Sequence, residues 1–147
     1  MIRAYKESDF SFIESIYNAS KIDEFAGEKF DVTVVPLSQD QQMLELLRES
    51  KIYIYEKRDI VGFAGTKGNY ISWLFVHPDF RGNNIGKKLV SHVLSELDGE
   101  VTLYVARSNT AAINLYQNFG FKIVKEFTGR YLGNPIVVLK MSIVIKI

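Results

Sequence analysis

The spacing of apolar positions changes several times along the chain, and each change marks an element. Residues 2–5 alternate as a short strand does, and Ser8 or Asp9 then precedes Phe10, Ile13, Ile16 and Tyr17, whose spacing predicts a capped helix. Residues 21–35 follow no single period. Phe25, Gly27 and Phe30 sit among Asp23, Glu24 and Glu28, and Val32-Thr33-Val34-Val35 is a β-branched run. After Pro36, Ser38 with Gln41 three residues on has the form of a capping box, and Met43, Leu46 and Leu47 predict a helix to about Glu49.

From Lys51 the period becomes two. Strands are expected over 52–55 and 60–66, joined by a turn at Lys57-Arg58-Asp59. Gly68-Asn69 makes a second turn into the unbroken apolar run 70–76, expected to be a strand buried on both faces and ended by Pro78. Ile85, Leu89, Val93 and Leu97 then form one line of a helix, flanked by Val90 and Leu94 and closed by Asp98-Gly99. A buried strand over 101–105 leads to a helix capped by Asn109 or Thr110 and stopped by Gly120. Closing strands over 121–127 and 136–145 are separated by a stretch with Gly129, Gly133 and Pro135. This order implies an α/β fold with a mixed central sheet flanked by helices on both faces, and 147 residues imply one domain over 1–147.

Composition narrows the chemistry. With 47% apolar and 24% charged residues the chain can bury a core without metals or cross-links. Eighteen basic and seventeen acidic side chains leave a net charge of +1, so neither nucleic acid nor an anionic membrane is expected as a partner. Without cysteine there is no disulfide, no thiolate metal site and no cysteinyl acyl-enzyme. Two histidines, His77 and His92, and no His-Glu-x-x-His give no reason to expect a metal. The start of the chain does not read as a secretory or transit signal, and no apolar run approaches the roughly 20 residues of a membrane span. A cytoplasmic location is the expectation.

The chemistry concentrates after the apolar run 70–76. Arg81-Gly82-Asn83-Asn84-Ile85-Gly86-Lys87-Lys88 opens a helix, where free N–H groups and the helix dipole favour an anion. Gly82 and Gly86 let a ligand approach the main chain, and Arg81, Lys87 and Lys88 add positive charge. A plain glycine turn with solvated lysines remains the alternative. The dinucleotide and P-loop glycine fingerprints are both absent.

Arg81-Gly82-Asn83-Asn84-Ile85-Gly86, following Leu74-Phe75-Val76 and His77-Pro78, resembles the acetyl-CoA motif of the GNAT acetyltransferases. Asn84 stands where the family usually has a glycine, and asparagine is among the residues that tolerate a left-handed backbone. The segment from Asn109 through Ala112 and Tyr116 to Phe121 resembles the family's segment after its fifth strand. Leu132-Gly133-Asn134-Pro135 is similar to a stretch of small bacterial N-acetyltransferases.

The resemblance implies acetyl transfer from acetyl-CoA, as cosubstrate and without metal, to a small-molecule or peptide amine. Attack is direct, in a ternary complex, and the protein is a monomer or homodimer. It implies that the strand ending at Val76 splays from its neighbour at Val105 and receives the pantetheine arm along Leu74, Phe75 and Val76, with the Val76 N–H polarising the thioester carbonyl. The turn 81–87, with Ile85 within it, holds the pyrophosphate. Asn109 and Ala112 lie along the pantetheine, Asn109 being equally readable as a plain helix cap. Tyr116 is the general acid on the departing thiolate, against the reading that it only packs. The base is left open among Asp23, Glu24 and Glu28, and residues 21–35 line the acceptor site. The rivals are a non-catalytic acyl-CoA-binding or regulatory module and an interaction protein using exposed aromatics.

Overall fold

Seven strands make one sheet in a computed structural model that describes residues 1–31 and 33–146. In chain order the elements are β1 (Ile2–Ala4), α1 (Phe10–Ser20), α2 (Gln41–Glu49), β2 (Lys51–Glu56), β3 (Ile60–Lys67), β4 (Tyr70–Val76), α3 (Ile85–Ser95), β5 (Gly99–Ala106), α4 (Thr110–Phe119), β6 (Lys122–Tyr131) and β7 (Asn134–Ile145). The spatial order is β1-β2-β3-β4-β5-β7-β6. Every neighbouring pair is antiparallel except β4 with β5.

Two cores result, one on each face. Ile13, Ile16 and Tyr17 of α1 and Leu47 of α2 pack with Ile52, Ile54, Phe63, Trp73 and Phe75 of the sheet. On the other face Ile85, Leu89, Val90, Val93 and Leu94 of α3 meet Tyr53, Val61, Val101, Leu103, Leu139 and Met141, joined by Tyr116 of α4. Their apolar spacing along α3 is what aims one stripe at the sheet. Along β4, Trp73 and Phe75 are buried against α1, whereas Leu74 and Val76 on the opposite face are only partly covered; the register skips Ser72, so the buried Ile71 joins that second face. The expectation of burial on both faces is therefore corrected, because a cavity lies over the second face.

Several ends differ from the pattern-based expectation. Asp40, not Ser38, caps α2 by accepting from the Met43 N–H at 3.2 Å, and Ser38 lies in a 3-10 turn, Leu37–Gln39. Neither Ser8 nor Asp9 caps α1 through its side chain. The buried Asp9 carboxylate instead accepts from the Arg3 guanidinium at 2.8 and 2.9 Å and from the Lys6 N–H, tying the first strand to the first helix. Helix α3 stops at Ser95, and Gly99, with φ +76, opens β5 rather than closing the helix.

Strands β6 and β7 run straight through Gly129 and Pro135, leaving only Leu132-Gly133, both at positive φ, as a two-residue hairpin turn. The mirror-image turn matches the twist of the strands it joins, which is why so little loop is needed. Between α1 and α2, Lys21–Phe25 forms a 3-10 turn. Of the β-branched run, Val32 lies outside the described residues, and Thr33, Val34 and Val35 belong to no strand.

Candidate active site

The parallel neighbours β4 and β5 pair at a single position, Tyr70 with Thr102. Beyond it they diverge, and a cavity of about 800 Å³ occupies the gap. Register fixes what β4 offers to that gap. The His77 N–H donates to Val61 O at 2.8 Å, on the β3 side. Successive N–H groups point to opposite sides of a strand, so the Val76 N–H faces the cleft, and the Leu74 N–H does so two residues earlier. The Val76 carbonyl accepts from Ser20 Oγ–H at 3.1 Å, which anchors the end of α1 against the end of β4.

The turn into α3 supplies the second group of donors. Gly82 (φ +84) and Asn84 (φ +60) are left-handed, so asparagine fills a backbone conformation open to few residues besides glycine. The first helical bond of α3 runs from the Lys88 N–H to Asn84 O at 3.0 Å, which leaves the N–H groups of Ile85, Gly86 and Lys87 ahead of it without a helical partner. No side chain caps them and no acid lies in the first turn. A Cβ built on Gly86 meets only Leu115 at 3.7 Å and Val76 at 3.8 Å, ordinary contacts. The protein alone thus has no steric need for glycine there, whereas a ligand reaching those N–H groups does. These features fit a diphosphate and its pantetheine arm.

Leu74, Phe75, Val76, Arg81, Gly82, Asn84, Ile85, Gly86, Lys87, Asn109, Ala112 and Tyr116 all line the cavity. Asn83 does not: its Nδ2–H donates to Phe80 O at 3.1 Å, which holds the turn rather than the ligand space. Lys88 also points elsewhere, its ammonium 6.0 Å from the Tyr55 ring. Arg81 pairs with Asp23 across the mouth. Both partners are nearly half exposed, so the pair is worth about 0–1 kcal/mol. Asn109 Oδ1 accepts from the Ala112 N–H at 3.3 Å, so it caps α4 and lines the cavity at once.

Tyr116 is buried on α4, its ring edge-on to Phe121 at 5.6 Å. Burial pushes its phenol well above the ordinary tyrosine range, and the charge of Glu24 and the Tyr70 phenol push the same way. Burial thus favours its neutral, proton-bearing form. Of the three acids considered as base, Asp23 and Glu24 line the cavity and Glu28 does not. His77 accepts from the Asp79 N–H at 3.1 Å, and His92 packs against Tyr53. Among the described residues no group of three His, Cys, Asp or Glu is placed to hold a metal, and no helix is long and apolar enough to cross a membrane.

Sequence reasoning placed residues 21–35 together and did not single out Lys21. Its ammonium lies 5.8 Å from the Tyr17 ring, 5.5 Å from Phe25, 5.9 Å from Phe75 and 5.8 Å from Tyr131, and it donates to Glu24 Oε2 at 2.8 Å. The spacing Tyr17, Lys21, Phe25 was a signal, since residues four apart share a helical face. Phe75 and Tyr131 come from strands far away in sequence.

The sequence profile of the acetyltransferase (GNAT) domain matches residues 48–123. The peptidyl-lysine N-acetyltransferase YjaB of Salmonella typhimurium is 32% identical over 104 residues, which span 69% of this chain and 71% of that protein. The solution structure of apo YjaB from Escherichia coli superposes with a TM-score of 0.72 at 26% identity, covering 97% of this chain and 95% of that one. The Salmonella typhimurium putative acetyltransferase yncA, solved with acetyl-CoA, shares the fold with a TM-score of 0.75 at 20% identity, covering 100% and 94%. The chain belongs to the GNAT family of acetyl-CoA-dependent N-acetyltransferases.

Proposed function

We propose that this chain acetylates the primary amine of a lysine side chain, in peptide or protein form, by direct attack on acetyl-CoA in a ternary complex. The observation that carries this reading is one cleft onto which the Val76 N–H, the uncapped start of α3 and the Tyr116 phenol all open, beside a cage that already holds a lysine ammonium. Relatives about a third identical bear the name of peptidyl-lysine acetyltransferases, which supports the acceptor class.

In this reading the thioester carbonyl accepts from the Val76 N–H, a preorganised donor for the charge that develops on oxygen. Glu24 takes the proton the acceptor ammonium must lose. Tyr116 donates a hydrogen bond to the departing thiolate. Its raised pKa suits hydrogen-bond donation better than full proton transfer, because a coenzyme A thiol near the cysteine value of about 8.5 is the stronger acid. The protein is offered lysine-containing peptides and free amines together with acetyl-CoA, and released thiol is measured. Thiol release with peptides supports the reading. Binding of acetyl-CoA without release for any amine would leave a binding module instead.

A further inference from the structure

The acceptor side of the cleft is already filled by a residue of the chain itself. Lys21 lines the same cavity as Val76 and Tyr116, its stem is rooted beside Ser20, and Ser20 is bonded to the Val76 carbonyl. Four aromatic rings surround its ammonium at 5.5 to 5.9 Å and Glu24 receives one of its protons at 2.8 Å. Such a cage with one carboxylate is how a protein holds an alkyl ammonium. Lys21 is largely covered, with 15% of its side chain accessible, unlike the solvated Lys57 and Lys122. A lysine needed only to pair with an acid three residues on has no need of four rings from α1, the 3-10 turn, β4 and β6.

We propose that Lys21 is itself an acetyl acceptor, modified in cis by the bound acetyl-CoA of its own molecule. The proposal rests on the acetyl-transfer reading above. The Lys21 ammonium gives one proton to Glu24, which passes it to solvent. The neutral Nζ attacks the thioester carbonyl carbon, a C–N bond forms and the C–S bond breaks. Coenzyme A leaves as a thiolate hydrogen-bonded to Tyr116 and takes up a proton lost by the acylated nitrogen. The products are an N-acetyl-lysine amide and free coenzyme A. The amide is stable and hands its acetyl group to nothing, so it is a modification and not a turnover intermediate. It also removes the cation from the cage and leaves Glu24 unpaired.

The purified chain is incubated with acetyl-CoA alone, and acetylation of each lysine is followed by peptide mass spectrometry. Lys21 should gain one acetyl group well ahead of Lys57 and Lys122, which report uncatalysed acetylation. Its rate constant should not change with protein concentration. Excess unacetylated coenzyme A should block it, and Glu24→Gln should slow it about 10²-fold. Lys21→Arg, which keeps a cation in the cage, should melt as the parent does and gain no acetyl group in the peptide containing residues 21–25. If acetyl-CoA raises the melting temperature and external amines are acetylated while Lys21 is labelled no faster than Lys57, the proposal is overturned and the proposed function stands. A rate that grows with protein concentration overturns the in-cis step. If acetyl-CoA neither shifts the melting temperature nor acetylates any amine, both readings fall together.

Discussion

The two walls of the cleft are built in opposite ways. The wall we assign to the acetyl donor is backbone: the N–H groups of β4, the turn with Gly82 and Asn84 at positive φ, and the uncapped start of α3, all within residues 74–87. The wall we assign to the acceptor is side chains from a short 3-10 turn, α1, β4 and the β6–β7 hairpin. Phe25 stacks on Tyr131 with ring centres 4.4 Å apart, and Gly27 lets the segment approach Ser108, where an added Cβ would lie 3.1 Å from Ser108 Cβ. A diphosphate and a pantetheine are the same in every acetyl-CoA, and fixed backbone suits them. The amine varies, and interchangeable side chains suit that.

Gly86→Val should separate the walls most sharply. Its added methyl groups enter the space over the α3 N–H groups, while the contacts a Cβ meets there are ordinary, so the chain stays folded. The stabilisation by acetyl-CoA, about 2.7 kcal/mol at a hundredfold excess over Kd, should vanish from the melting curve together with activity. Retained stabilisation would move the cradle elsewhere. Tyr116→Phe comes next: turnover falls by about 10²-fold as a preorganised donor is lost, while the acetyl-CoA shift persists. Parental turnover in this variant would leave Tyr116 as packing alone.

Tyr131→Leu tests the other wall. Loss of the stack on Phe25 and of one ring of the cage, worth about 1 kcal/mol, should raise the acceptor KM several-fold and leave the acetyl-CoA shift as it was. A weakened acetyl-CoA shift with unchanged acceptor KM would reverse the assignment of the walls. The smallest effect is a predicted absence. Since burial, then Glu24, hold the Tyr116 pKa above its ordinary value, the phenol keeps its proton as pH rises through about 10. Its donation should therefore not decline below that pH, and Tyr116→Phe should lower kcat by the same factor from pH 7 to 9. A factor that shrinks steadily toward pH 9 would mean the phenol ionises there.

What was legible follows the same division. Positions whose meaning is a local backbone requirement were legible in sequence: Asn84 as a left-handed residue, Asn109 as one of two offered caps of α4, with Thr110, and Gly120 at φ +104 as its stop. Ser38 misled because residues 37–39 close a 3-10 turn first, so the helix starts later and Asp40, two residues on, accepts from the Met43 N–H. The direction of the Asn83 side chain, toward Phe80 O, was not legible, because motif membership does not say which side chain turns inward.

The sequence by itself determined the order of elements and the left-handed turn before α3, because periodicity, glycine and capping residues act over a few neighbours. Tertiary structure decided the rest. That β7 lies between β5 and β6, that β4 and β5 part after one paired position, and that residues 21–25 wrap a lysine in rings all depend on partners distant in sequence. No local period encodes such partners, since an aromatic ring has the same neighbours in sequence whether it ends in a core or around a cation.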